Sequence, residues 1–485
     1  MFMSICFFLK RIQWQGRLFA LLSILLSGGC ATYQYEARPL DSGQIAREFT
    51  DRTLADSGLK EYLAQYEYTV NQWPLAEWDI NALTLAAYYF HPNLQVAIRE
   101  YNKANIHMEF VNQRPNPEIS IPLEYHSDTE DGKSPWTIGL LFDFILERPA
   151  KRQARYDQAV AGLDAARINI NSVAWDIYSE LRRQYFNYQS VSGYQGLLLK
   201  QKEYAEQNMQ LLNRRLELGQ ASEFEISSMQ LELQRIRLEL TSHKVTVVEA
   251  WHALAASVGI PATALDNIQF TDASAEYFNQ LQELEYSELQ SIALTQRLDI
   301  QKALADYTAH EAQVRLEIEK QYPDLTLSPG FLFDQHDNIW QLGVSWILPL
   351  FHPQNEGPIQ EALAEREIKQ AEFLALQSRV INEVSSAYSG MKAQLEALNE
   401  AEQLLQEVKE RNLQIERQYK LGYADHLQLS RSLLEVAAVE KAVSDLKYSV
   451  ISSAGRLEDK LQYPIFSKQA YQYLYGQDVN KNNHN

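Results

Sequence analysis

The sequence predicts a mainly α-helical chain that also carries a membrane β-barrel part. Three observations predict it. The chain repeats itself with a period of roughly 204 residues, it contains proline-free stretches long enough for helices far beyond globular length, and four short segments alternate apolar and polar residues.

The leader comes first in the chain. Lys10, Arg11 and Arg17 precede an apolar run at residues 18–26, followed by Ser27, Gly28, Gly29 and Cys30. Such a run is too short to span a bilayer as a helix, which takes about 20 apolar residues. It reads as a secretory signal over residues 1–29. Cys6 falls inside it, so the exported chain keeps Cys30 alone and cannot form an internal disulfide. Cys30 resembles the acylated cysteine of bacterial lipoproteins, and the non-Asp residue Ala31 after it then implies the outer membrane. The alternative is an ordinary leader with a stray thiol. The formal net charge of −19 over 485 residues argues against nucleic acid as a partner.

The duplication is read from four blocks in one order. Residues 91–101 match 297–307, 117–121 match 323–327, 136–140 match 340–344, and 214–221 match 417–424. Each half has the order helix, strand, strand, very long helix, turn, helix. The expected organisation is a segment at 30–73, a first repeat at 74–262, a linker at 263–285, a second repeat at 286–465 and a tail at 466–485. The segments outside the repeats are expected to pack as an equatorial belt.

Strands are expected at 118–126 and 136–146, and again at 323–333 and 340–350. Ile119, Ile121, Leu123 and Tyr125 share one face of the first strand, and Ser120, Pro122 and Glu124 the other. The later strands alternate similarly, with Leu332 and Ile347 as exceptions. A soluble half-buried sheet would alternate too. The length of about 9–11 residues matches a tilted membrane strand. Large rings at Tyr125, Trp136, Phe333 and Trp340, placed near polar loops, match an interfacial girdle. Four strands cannot close a barrel, and an open edge in lipid leaves backbone groups unpaired, so other copies must supply the missing strands.

Between the strands and the turns the helices are long. Pro149 is followed by no proline until Pro261, and Pro358 suits the first turn of the second long helix. A stretch of about 63 residues reaches roughly 95 Å as helix. Ile226, Met229, Leu233, Ile236 and Leu240 recur at bundle spacing. Each long helix ends in Leu-Gly-x-Ala, at Leu218, Gly219, Ala221 and at Leu421, Gly422, Ala424. Glycine serves where a helix ends in a left-handed residue, so a plain hairpin turn accounts for the motif.

Together these features resemble the TolC family of outer-membrane efflux proteins. The duplication, the strand–helix order, the paired turns and the junctions at 146–152 and 348–351 carry the resemblance, and the junctions are similar to its heavy-metal efflux branch. The resemblance implies a homotrimer with a twelve-stranded barrel continued by a long α-helical barrel. It implies an exit duct of a tripartite efflux or type I secretion system, embedded in outer-membrane lipid and working with a periplasmic membrane-fusion adaptor and an inner-membrane pump. It places the adaptor at the two Leu-Gly-x-Ala tips. A pore-narrowing acidic ring just beyond the turns would draw on Glu225, Asp425 or Gln428, although carboxylates opening a helix also simply suit its dipole.

No catalytic constellation or cofactor motif is visible. His310-Glu311 begins a zinc-protease-like pattern without its second histidine, and the methionines are scattered. A passive duct needs neither enzyme chemistry nor cofactor. The competing reading is a lipid-anchored periplasmic coiled-coil adaptor, which would lack paired strands with aromatic outer faces.

Overall fold

The computed structural model describes residues 34–66, 68, 72–129, 132–272, 278, 280–281, 284–347 and 353–466. The leader, Cys30, the 348–351 junction and the tail beyond 466 lie outside the described residues. Residues up to Asp51 form a unit of their own, in which helix α1 (Ser42–Thr50) is capped by the Asp41 carboxylate accepting from the Gly43 and Gln44 N–H groups.

The second unit begins at Arg52. Its elements are α2 (Ser57–Gln65), β1 (Glu77–Trp78), α3 (Ile80–Phe90), α4 (Pro92–Val111), β2 (Glu118–Ser120), β3 (Leu123–Tyr125), β4 (Trp136–Leu146), α5 (Pro149–Glu217) and α6 (Glu223–Val258). Then follow β5 (Gln269–Phe270), α7 (Tyr286–Thr295), α8 (Leu298–Lys320), β6 (Leu325–Asp334), β7 (Asp337–Trp346), α9 (Pro353–Lys420) and α10 (His426–Leu461). The two repeats are near copies in length. α5 and α9 have 69 and 68 residues, and α6 and α10 have 36 each. At 1.5 Å per residue α5 alone extends about 104 Å.

Why α5 starts and stops is local chemistry. Pro149 occupies the first turn, where a missing N–H costs nothing. Gly219 ends the helix at φ +71°, and Gly422 ends α9 at φ +77°. Each sits in a doubly bonded left-handed cap. Gln220 N–H donates to Arg215 O at 2.7 Å and Gly219 N–H to Leu216 O at 2.9 Å; Tyr423 and Gly422 do the same to Gln418 and Tyr419.

The large core lies at mid-length of the long helices. Trp175, Tyr178, Leu181 and Tyr185 of α5 join Val380, Val384 and Met391 of α9, the ends of α6 and α10, and the almost wholly buried α3. β1 pairs in parallel with β5, which ties the start of the first repeat to the inter-repeat linker. Arg182 of α5 is 3% exposed and donates to Glu458 and to Asp459 and Gly455 O at 2.5 and 2.8 Å. Glu458, fully buried, also accepts from the Ile465 and Phe466 N–H groups at 2.7 and 3.1 Å. A Cβ at Gly455 would come within 3.2 Å of the guanidinium, so glycine gives Arg182 its room. Arg297 plays a related part in the second repeat, bonding Asp299, Glu383 and Lys460 O.

The strands form one antiparallel sheet in the order β2/β3, β4, β6, β7. The strand expected at 118–126 is divided at Ile121–Pro122, because proline has no N–H for the ladder. Its register does not slip, and Gly139 N–H still reaches Pro122 O at 2.9 Å. A Cβ at Gly139 would lie 2.7 Å from Pro122 Cγ, so the ring of one strand fills the space left by glycine in the next. The second hairpin departs further from expectation. Strands expected at 323–333 and 340–350 run at 325–334 and 337–346. The predicted six-residue loop is a two-residue turn at Gln335 and His336, with φ +47° and +82°. Two positive φ values in succession match the twist of the strands they join.

Removing the Glu458 carboxylate takes from the buried Arg182 its one fully buried counter-charge and leaves it the half-exposed Asp459. Glu458→Ala is expected to destabilise the protein by about 3–5 kcal/mol, read as a drop in the heat-denaturation midpoint of the detergent-solubilised protein.

Candidate functional site: sheet faces and paired hairpin turns

Directly opposed residues share a face of a sheet, so the register sorts the side chains. One face carries Ile119, Ile121, Leu123 and Tyr125, then Trp136, Ile138, Leu140, Phe142 and Phe144, then Leu325, Leu327, Phe331 and Phe333, then Trp340, Leu342, Val344 and Trp346. Many of these large apolar groups are exposed, among them Ile121, Trp340 and Leu342 at 69, 82 and 70%. The opposite face carries Glu118, Glu124, Thr137, Asp143, Ser328, Asp334, Asp337 and Gln341 together with the apolar Leu141, Ile145, Leu332 and Ile339, and no Lys or Arg lies in any of the strands. The Ser328 hydroxyl donates to Asp143, and the Thr137 hydroxyl to Asp334 at 2.5 Å, with His126 beside both at 2.8 and 3.6 Å. Among the described residues no group of three metal-ligating side chains stands close enough to hold an ion. No described helix is long and apolar enough to cross a membrane.

Of the four expected girdle residues, Tyr125 and Trp136 are register partners in edge-to-face contact, their ring centroids 4.9 Å apart. Phe333 lies one register step from the turn. Trp340 does not border a loop: because β7 begins at Asp337, it pairs with Phe331 inside the sheet, at a ring distance of 5.0 Å. Trp346, opposite Leu325, marks the far end of the sheet.

The two turns are built alike. Three residues past each glycine stands an N-cap, Ser222 or Asp425, and three residues further its partner, Glu225 or Gln428. Ser222 N–H reaches Glu225 Oε2 at 3.0 Å, and Asp425 N–H reaches Gln428 Oε1 at 3.1 Å, completing two capping boxes. All three residues expected as candidates for a constriction are therefore engaged in helix capping. The chemistry also explains why glutamine can stand where the other repeat has glutamate: either side chain accepts from the N-cap amide.

Two ion pairs join the turns. Arg215 of α5 reaches Asp425 at 2.9 Å, and Arg431 of α10 reaches Glu225 at 3.9 Å. Ala424 is buried beneath its turn, whereas Leu218 and Leu421 are exposed at 71 and 70%. Phe224 and Tyr423, which the motif comparison missed, are more exposed still. An aromatic side chain within five residues of each turn glycine was the available sign.

The Ser222 backbone and hydroxyl, helped by Arg431 and Arg215, hold the Glu225 carboxyl below the usual carboxylate range. A carboxyl lowered in the native state contributes fully above its unfolded value, about 4.3, and the contribution is lost as pH falls through the lower folded value. Protection of the Ser222 amide, measured against its intrinsic exchange rate, is therefore expected to be full above the usual glutamate range and to be lost as pH falls below it.

Comparison with known proteins follows the same outline. Residues 88–260 and 289–461 each match the family described as outer membrane efflux protein. The chain is 27% identical over 296 residues to the cobalt-zinc-cadmium resistance protein CzcC of Cupriavidus metallidurans, covering 61% of this chain and 68% of that one. Among solved structures it resembles the outer membrane protein VceC of Vibrio cholerae at a TM-score of 0.63 and 19% identity, covering 80% of this chain and 96% of VceC. It also resembles the MtrE outer membrane channel of Neisseria gonorrhoeae, in its open state, at 0.61 and 15%, covering 79 and 89%. With the fold of these channels and a family match to each repeat, the chain belongs to the outer membrane efflux proteins.

Proposed function

We propose that three copies of the chain close a twelve-stranded barrel in the outer membrane and form the exit duct for divalent metal cations, driven by an inner-membrane pump through a periplasmic adaptor. The carrying observation is the sheet: its apolar face is open, and its two outer strands, β2/β3 and β7, have no partner on one side among the described residues. In lipid those edges must be paired. The polar face would line the lumen, where its carboxylates favour cations and repel anions. The name of the relative CzcC supports metal ions as cargo.

The helices support the same assembly. α5 packs between α6 and α10, and α10 packs on α9, so α6 and α9 are the outer pair of the four. Along α6, Phe224, Leu231, Leu238 and Val245 recur every seven residues and are all exposed. A seven-residue apolar stripe is a coiled-coil seam, which α9 of a second copy would cover. At the tips, Leu218, Gly219, Ala221, Leu421, Gly422 and Ala424, with Phe224 and Tyr423, would meet the adaptor. Cys30 would carry the lipid anchor.

Purified protein reconstituted in planar bilayers is expected to conduct, with cations permeating several-fold better than anions. Leu342→Arg, in the middle of the apolar face, adds about 2–4 kcal/mol at the bilayer midplane and is expected to abolish trimers in outer-membrane extracts. A water-soluble, non-conducting wild type would refute the proposal. Gly219→Trp and Gly422→Trp are expected to lower efflux while trimers still assemble; loss of trimers instead would make the turns structural elements only.

A further inference from the structure

The middle of α5 contains two glycines for which no packing reason exists. Gly193 and Gly196 lie inside the helix, and a Cβ built on either meets no atom within 4 Å. Neither has the left-handed backbone that favours glycine, as Gly219 does. Glycine is the least favourable helix-interior residue after proline. Ser190 and Ser192, just before the pair, compete with the helix for backbone hydrogen bonds. Gly162 and Gly390 are equally unobstructed, but each stands alone.

The pair lies where the packing changes. Tyr188 is still packed on the large core, whereas the next cluster towards the tips is only Ala205, Leu233 and Ile236 with Met229 and Leu434. Tyr194, one of the two residues between the glycines, is held from two other helices. Tyr194 OH donates to Glu239 Oε1 at 2.7 Å, Lys441 of α10 pairs with the same carboxylate, and the Lys441 ammonium lies 4.8 Å over the Tyr194 ring. His243 of α6 packs its ring 4.7 Å from Tyr194 and donates through Nε2 to Val191 O at 2.7 Å. Beside them is a cavity of about 360 Å³, lined by Ser190, Val191, Tyr194, Glu239, His243 and Asp445.

We infer that α5 has a hinge at Gly193–Gly196, clamped by Tyr194, Glu239, His243 and Lys441, about which the tip-ward part of the hairpins swings to open the inner end of the duct. The inference rests on the duct proposed above. A weakened helical turn supplies the bend, the cavity supplies room, and the three-helix clamp sets the resting position. Sharp bends in long helices arise at such Gly/Ser sites.

The test is Gly193→Ala combined with Gly196→Ala in the full chain, recorded in planar bilayers beside Lys441→Met. The alanine pair is expected to raise the heat-denaturation midpoint and to lower mean single-channel conductance at least threefold. Lys441→Met, which frees the clamp, is expected to raise it. Wild-type conductance with an alanine pair that conducts equally overturns the hinge alone. An unchanged Lys441→Met channel overturns the clamp as its restraint. A wild type that never conducts overturns the duct and the hinge together.

Discussion

Everything in this architecture depends on the requirement that backbone N–H and C=O groups find partners where no water is present. A sheet with one apolar exposed face and two unpaired edges is not a finished object. On the proposed assembly, completion by other copies would give the lumen, and only then would the carboxylates on the polar face and the long helices have a common axis to surround. The outer face needs only bulk and apolarity, which is why Phe, Trp, Leu and Ile alternate there without fine jigsaw packing. The inner face needs polarity and room, and Gly139, with Pro122 leaning over it, shows how closely neighbouring strands share that room.

The duplication divides labour without keeping strict symmetry. Helix lengths and both turns are nearly the same in the two repeats. The ion pairs that join the turns are reciprocal, Arg215 to Asp425 and Arg431 to Glu225, so each repeat holds the other's returning helix. Exposed pairs of this kind contribute little to stability individually. They would suit a junction that parts as the inferred hinge requires, whereas the enclosed Arg182–Glu458 pair at mid-length would suit one that does not.

Much of this was legible in the sequence, because strand faces and long helices are written in periodicity. The sorting of apolar and polar residues by face follows from alternation alone, and the halves follow from repeated blocks. The second hairpin was misjudged because Gln335 and His336 lack the Asn-Gly signature of a tight turn; their positive φ values are imposed by the paired strands. Trp340 was accordingly placed too near the loop. Glu225 and Gln428 did not match as acids, yet they match as acceptors in equivalent caps, a likeness visible only in hydrogen-bond geometry. Arg182 and Glu458 are far apart in sequence, and nothing local marks them as partners.

That distance bears on biogenesis. On the proposed export from the N-terminus, the guanidinium of α5 would leave the cytoplasm long before the two carboxylates, Glu458 and Asp459, that it bonds. The Glu458 carboxylate also binds the backbone of residues 465 and 466, beyond the last helix. The large core therefore cannot close around a compensated charge until nearly the whole polypeptide has been made. A truncated product ending after the first repeat would lack both Glu458 and Asp459, the carboxylates that Arg182 bonds in the complete chain.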